Sequence, residues 1–87
     1  MNAIRFQRRP EVLLLTGTSN STLFNRINHG LFVPPISLGA RAVGWLEHEV
    51  HQVLAARAGG MQDQEVRVLV KALVDARGRL AVTGGAQ

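Results

Sequence analysis

Hydrogen-bonding side chains collect on one face of a short predicted helix between Gly17 and Gly30. Ser19 is predicted to be the N-cap, because its hydroxyl can accept a hydrogen bond from a free backbone N–H one turn later. Gly30 is predicted to end the helix, since glycine adopts the left-handed conformation without strain. The polar face contains Ser21, Thr22, Asn25, Arg26 and His29. Such side chains suit the base edges in the major groove of DNA, so we predict a recognition helix over residues 19–29.

The net charge of +4 lies entirely in the half of the chain that contains this helix. Residues 1–45 have five arginines and one acidic residue, whereas residues 46–87 have five basic and five acidic residues. The five arginines are Arg5, Arg8, Arg9, Arg26 and Arg41. A basic surface on one half of a protein favours a polyanionic partner, most commonly one with phosphate groups. The alternative is that the excess of arginine only keeps the protein soluble.

The segment before the recognition helix indicates a strand followed by a first helix. Residues 4–8 alternate apolar and polar side chains, which predicts a short half-buried strand. Pro10 fits the first turn of a helix, because its missing N–H would have no partner there. We predict that Val12, Leu13 and Leu15 form the buried side of this helix. Two helices joined by so short a turn indicate a helix-turn-helix, and the alternative is an ordinary corner between two packed helices.

A β-hairpin is predicted directly after the recognition helix. The consecutive prolines at positions 34–35 exclude helix and force an extended path. Residues 36–38 and 42–45 are β-like runs on either side of a Gly-containing tip. A hairpin in this position is typical of a wing, with its tip at residues 39–42, and Arg41 would then contact a phosphate or the minor groove. The alternative is an exposed turn in which this arginine has no function.

Two further helices are predicted after the hairpin. The third begins next to Trp45, which we expect in the core, and it ends at a pair of glycines. The fourth covers residues 62–77 and is predicted to stop at Gly78. Its apolar stripe consists of Val66, Leu69, Val70, Leu73 and Val74. This stripe either completes the core or mediates a homodimer.

No set of residues in the sequence completes a catalytic or metal-binding pattern. His48 and His51 are three positions apart, whereas a metalloprotease helix needs two histidines four apart. Ser19 and Ser21 lack an identifiable base and oxyanion donor. The chain has no cysteine and no Gly-x-x-x-x-Gly-Lys loop. We therefore expect a protein that is not an enzyme and that binds no metal, cofactor or small-molecule substrate. Without a signal sequence or a long apolar run, we expect it in the cytoplasm and not in a membrane.

Several short motifs occur in a fixed order between residues 5 and 58. They are Arg9-Pro10-Glu11-Val12, residues 15–24, Ile27, Gly30, Phe32-Val33-Pro34, Leu38-Gly39 and Arg41-Ala42-Val43-Gly44-Trp45. Together they resemble the AlpA family of small phage and prophage DNA-binding regulators. This resemblance implies a winged helix-turn-helix similar to that of excisionases and MerR-like domains. The family often has a basic residue at the position of Asn20 and a tyrosine at that of Phe24, so the chain departs from the family pattern at both.

The predicted fold is mostly α with a small β-hairpin, a winged helix-turn-helix of the MerR or excisionase type with an extra C-terminal helix. We place the DNA-binding domain at residues 1–58. The C-terminal amphipathic helix lies within residues 59–79, where it packs on the domain or mediates dimerisation. Residues 80–87 are predicted to be a flexible tail.

The predicted function is sequence-specific binding of double-stranded DNA by a transcriptional regulator of phage or mobile-element type. The predicted DNA-binding residues are Ser19, Asn20, Ser21, Thr22, Asn25, Arg26 and His29 in the recognition helix, Arg41 in the wing, and Arg5, Arg8 and Arg9 near the N-terminus. One alternative is an excisionase that bends DNA beside an integrase. An alternative of another class is an adaptor that binds a second regulatory protein.

Overall fold

The computed structural model describes the backbone of residues 4–85 and the side chains of residues 4–80. Within this range the chain forms a three-stranded antiparallel sheet and four helices. In chain order they are β1 (Phe6–Gln7), α1 (Arg9–Thr16), α2 (Asn20–Asn28), β2 (Ile36–Gly39), β3 (Ala42–Leu46), α3 (Glu47–Ala58) and α4 (Asp63–Gly85). The mostly helical class is confirmed, and the order of elements is that of a winged helix-turn-helix with an additional C-terminal helix.

Helices α1 and α2 form the helix-turn-helix, and local signals define the turn between them. Gly17 ends α1 in the left-handed conformation, with φ of 68°, and its N–H donates to the carbonyl of Leu13 at 2.9 Å. Val12 is fully buried, but Leu15, which we predicted to be buried, is 43% exposed. That prediction is wrong because the core side of this short helix is the narrow strip that runs through Val12 and Thr16.

The three strands have the order β1-β3-β2, so that β3 is the central strand. Strands β2 and β3 form the predicted hairpin, the wing, and Gly39 at its tip has φ of 102°. Strand β1, predicted within residues 4–8, pairs with the other edge of β3, with Gln7 opposite Trp45. This pairing attaches the segment before α1 directly to the wing.

Trp45 lies at the centre of the core and is 0% exposed, as predicted. Its indole N–H donates to the carbonyl of Val33 at 3.0 Å. The ring also meets Phe24 of α2 edge-on, with 6.3 Å between the ring centroids. One side chain therefore connects the central strand to α2 and to the segment that joins α2 to the wing.

Helix α4 packs on this same core through its apolar stripe. Val66, Val70 and Leu73 are buried in the core cluster. Three residues of the stripe therefore pack on the domain, and a homodimer through residues 62–77 stays a prediction. The predicted end at Gly78 is wrong, because α4 continues to Gly85. A single glycine costs a helix interior only about 1 kcal/mol relative to alanine, which a helix of this length tolerates.

The predicted flexible tail falls partly within this helix. Residues 80–85 belong to α4, and residues 86–87 lie outside the described part of the chain.

Candidate nucleic-acid interface

The N-terminus of α2 is capped as its sequence predicts. The Ser19 hydroxyl accepts a hydrogen bond from the backbone N–H of Thr22 at 3.2 Å, and it donates to the Thr22 hydroxyl at 3.0 Å. At the other end, Nδ1 of His29 lies 2.7 Å from the carbonyl of Asn25, an arrangement that requires a proton on Nδ1. Ser19 and His29 therefore form their hydrogen bonds with groups of α2 itself, one at each end of the helix.

The middle of α2 presents a shallow exposed groove, which we call the polar groove. Its volume is about 310 Å³, and it is lined by Ser21, Thr22, Asn25 and Arg26. These four side chains are exposed. Within residues 4–80, the side chains of Ser21, Asn25 and Arg26 form no hydrogen bond with the protein, so their donors and acceptors are available to a ligand.

A second and larger groove, which we call the cationic groove, lies between the start of α1, the start of α2 and the wing. Its volume is about 610 Å³. It is lined by Arg8, Arg9, Pro10, Leu13, Asn20, Arg41 and Val43. Three of these side chains are cations and none is acidic, so the groove is an electropositive surface suited to phosphate groups.

Asn20 connects the cationic groove to α2. It is the first residue of the helix, and its side-chain oxygen accepts a hydrogen bond from Nη1 of Arg9 at 3.4 Å. Through this bond the positive charge of Arg9 lies next to Asn20, whose own side chain is uncharged.

The structure therefore brings most of the predicted site residues to two neighbouring grooves. Arg5 is the cation that lies outside both grooves, although it is exposed. Its backbone carbonyl accepts a hydrogen bond from the N–H of Glu47 at 2.8 Å. Ser19 and His29 line neither groove and occupy the two ends of α2.

Comparison with known proteins identifies a family that is compatible with this fold. Residues 5–58 match the family model described as the prophage CP4-57 regulatory protein, AlpA. The chain belongs to the AlpA family. The motif resemblance noted in the sequence is thereby confirmed.

A relative of this AlpA-family chain comes from a phage. The uncharacterized protein ORF88 of Enterobacteria phage P4 is 46% identical over 56 residues, which cover 64% of this chain. The chain aligns with 64% of the length of that relative. No solved structure gives a significant match.

The AlpA match ends at residue 58, and two arginines beyond it form hydrogen bonds with residues of the matched segment. Nε of Arg67 donates to the carbonyl of His29 at 2.9 Å, at the end of α2. Nη2 of Arg77 donates to the carbonyl of Pro34, just before the wing, also at 2.9 Å. Sequence analysis missed both residues, because it treated α4 only as an apolar stripe.

Arg77 also forms a buried ion pair with Glu49 of α3. Nε of Arg77 lies 3.2 and 3.0 Å from the two carboxylate oxygens, and Nη2 contacts one of them as well. Glu49 is 1% exposed and Arg77 has a side chain 17% exposed. His48 and His51 on the same helix are exposed.

An acidic residue near the C-terminal end of α2 is neutralised by a salt bridge. Nη1 of Arg57 lies 2.7 Å from the carboxylate of Asp63. This hydrogen bond, with the charges of Arg57, Arg67 and Arg26, holds the pKa of Asp63 below its ordinary value of 3.8. Asp63 is therefore ionised at neutral pH and is paired with Arg57 at the junction of α3 and α4.

Metal binding and membrane insertion find no support in the part of the AlpA-family chain that the structure describes. That part contains no group of three or more His, Asp or Glu side chains placed to hold a metal ion. In the same residues, no helix is both long and apolar enough to cross a membrane.

Proposed function

We propose that this protein is a sequence-specific DNA-binding transcriptional regulator of a phage or mobile element. The proposal rests on one observation, the adjacency of the polar and cationic grooves at the same helix. In the proposed complex, α2 enters the major groove of DNA and the wing contacts the neighbouring backbone. The AlpA family membership supports a regulatory role of this kind.

The polar groove is the proposed base-reading surface. Asn25 has an amide that can donate and accept at once, which matches the edge of adenine, and Arg26 can donate twice to guanine. Ser21 and Thr22 provide shorter donors and acceptors one turn earlier. These side chains have few competing hydrogen bonds within the protein, so that binding to bases does not require breaking internal contacts.

The cationic groove is the proposed backbone-binding surface. Arg8, Arg9 and Arg41 approach it from two directions, so a phosphate placed there could be contacted from both the α1 side and the wing side. Arg9 also supplies the charge next to Asn20, where many family members have a basic residue of their own. Arg5 extends the positive surface beyond the groove.

One winged module buries a small interface, so tight binding requires two copies on repeated or palindromic sites. We expect the second copy to bind adjacent DNA, and the spacing of half-sites in bound DNA measures this directly. An excisionase would show the same contacts, and it would also bend the DNA.

The proposal is tested by selecting bound duplexes from a random DNA pool at about 0.15 M salt. An enriched motif supports a sequence reader, and its absence with DNA retained contradicts specific recognition. If no DNA is retained, the adaptor is the better explanation. The slope of log affinity against log salt should be about −2.7 for three phosphate contacts, or about −3.6 if Arg5 makes a fourth.

Two substitutions separate the proposed roles. Arg41→Ala should weaken binding to all sequences about equally and make the salt slope shallower by about 0.9. Asn25→Ala should reduce preference at one base pair, at a cost of about 1–3 kcal/mol on the preferred site. Lys71→Ala is the matched control, because it removes one exposed charge from α4 outside both grooves. Equal behaviour of Arg41→Ala and Lys71→Ala would refute the assignment of the wing.

A further inference from the structure

The segment that connects α2 to the wing has almost no regular structure to hold it. Residues 29–35 contain two consecutive prolines, which lack a backbone N–H, and they include no helix or strand. Phe32 and Val33 are buried, so the path of this segment is fixed by the core. Buried carbonyl groups here must find donors outside the backbone ladders. The Trp45 indole N–H supplies the donor for the carbonyl of Val33.

Helix α4 supplies donors at both ends of this connecting segment. Arg67 donates to the carbonyl of His29, where α2 ends, and its aliphatic part packs against Gly30. Arg77 donates to the carbonyl of Pro34, where the wing begins. The two arginines are ten positions apart on one helix, which corresponds to about 15 Å along its axis. One rigid element therefore contacts the base-reading helix and the wing at separate points.

The direction of the Arg77 guanidinium is itself fixed. Its planar group is held by the two oxygens of Glu49, which is buried on α3. A guanidinium held by a carboxylate in this way has little rotational freedom, so its remaining N–H groups point in a defined direction. Here Nη2 donates to the Pro34 carbonyl. The arrangement therefore links α3 and α4 to the segment that directly precedes the wing.

We propose that α4 sets the position of the wing relative to the recognition helix, with Arg77 and Arg67 as positioning residues. This inference rests on the proposed function, since it assigns α4 a part in DNA binding although neither arginine lines the polar or cationic groove. In this role α4 places Arg41 where it can contact a phosphate while α2 is in the major groove. The helix lies beyond the segment matched by the family model, so the bare family domain lacks these contacts.

The experiment measures how much Arg41 contributes when the Arg77 contact is absent. Arg77→Met alone would leave the Glu49 carboxylate buried without a partner, so both charges are removed in the double variant Glu49→Met/Arg77→Met. This variant keeps apolar side chains of similar length and loses the bond to Pro34. Circular dichroism and urea unfolding establish that it is folded. Lys71→Met is the matched control, because it replaces a charged side chain by methionine at an exposed position of the same helix and keeps Glu49, Arg77 and the bond to Pro34.

The readout is the loss of DNA affinity caused by Arg41→Ala in each background. A single phosphate contact at 0.15 M salt is worth about five-fold in affinity, so we expect this loss in the native chain and in the Lys71→Met background. In the double variant the loss should fall below about two-fold, because the wing no longer holds Arg41 at the phosphate. A merely structural role for the ion pair would change stability and leave the five-fold loss intact.

The outcomes distinguish this inference from the proposed function. If the native chain binds DNA and the double variant, though folded, still loses about five-fold with Arg41→Ala, the positioning role is wrong and the proposed function stands. If the native chain does not bind DNA, the proposed function fails and the inference fails with it. An Arg41→Ala change without effect in the native chain also overturns the inference. If the double variant does not fold, Arg77→Lys replaces it, since one ammonium can pair with Glu49 but cannot also reach Pro34 with the same geometry.

Discussion

Replacing Gly78 with alanine should stabilise the protein, although the sequence pattern marks this glycine as the end of a helix. In the structure Gly78 lies inside α4, seven residues before the helix ends at Gly85. Apart from the neighbouring residues and the helix's own backbone, no described atom lies within 4 Å of the position that a Cβ would occupy, so the added methyl group meets no steric conflict there. Alanine is favoured over glycine in a helix interior by about 0.8–1.0 kcal/mol, and nothing in the surroundings offsets this gain.

Urea unfolding followed by circular dichroism is the appropriate assay. With a denaturant dependence of about 1 kcal/mol per molar urea, the midpoint should rise by about 0.8–1 M. Gly17→Ala is the matched control, since it also has no atom within 4 Å of the new Cβ but has φ of 68°. A left-handed alanine costs about 1 kcal/mol, so the control should lower the midpoint by a similar amount. If Gly78→Ala instead behaves like Gly17→Ala, then α4 ends at Gly78 and our account of this helix is refuted.

Two further predictions concern the polar contacts of α4. The pKa of Asp63 is lowered in the folded state by Arg57, so this group stabilises the fold above its ordinary pKa of 3.8 and ceases to do so as the pH falls further. Asp63→Asn should therefore lower the urea midpoint at pH 7, and the difference from the native chain should vanish in strong acid; a difference independent of pH would contradict the ion-pair explanation. Arg67→Met should weaken DNA binding by about two- to ten-fold through loss of the bond at the end of α2, whereas Lys71→Met, an equal change in charge on the same helix, should not. Equal effects of the two substitutions, measured by titration of labelled DNA, would exclude a positioning role for Arg67.

The elements predicted correctly from sequence are those governed by local chemistry. The cap at Ser19 and the left-handed Gly30 depend on interactions within one helical turn, and both occur as predicted. The prolines at 34–35 and the glycine at position 39 likewise determine the hairpin locally. Gly78 shows the limit of this approach. A glycine near the end of an apolar stripe resembles a stop signal, but the helix continues because its conformation there remains right-handed.

The buried ion pair could not be predicted from either helix alone. Glu49 lies on the same stripe as Val50 and Val53, and Arg77 continues the stripe that contains Leu73. Each charge in isolation is typical of a solvated position at the end of a helix. Only the packing of α3 against α4 shows that the two stripes bring opposite charges together. The sequence signal that could have predicted the ion pair is an acidic residue on the apolar stripe of α3 together with a basic residue on the apolar stripe of α4.

The cationic groove is likewise a consequence of tertiary pairing, since its arginines come from distant positions. Strand β1 pairs with β3 so that Gln7 lies opposite Trp45, and the following residues, Arg8 and Arg9, therefore run beside β3 towards the tip of the wing. Arg41 lies at that tip, and the three cations meet at one groove. A shift of one residue in this register would turn their side chains to opposite faces of the sheet.

Gly44 in the central strand permits the close approach on which that register depends. A Cβ at this position would lie 2.9 Å from Cδ1 of Leu38 on one side and 3.4 Å from the Gln7 carbonyl on the other. Any larger residue would therefore displace the Leu38 side chain and press against the backbone of β1 at Gln7. The motif that ends in Gly44 and Trp45 thus has a physical role at each position, because the glycine brings the strands together and the tryptophan fixes the sheet to α2. On this account the proposed phosphate-binding surface depends on the packing of a three-stranded sheet, and the arginines occupy the positions that this packing provides.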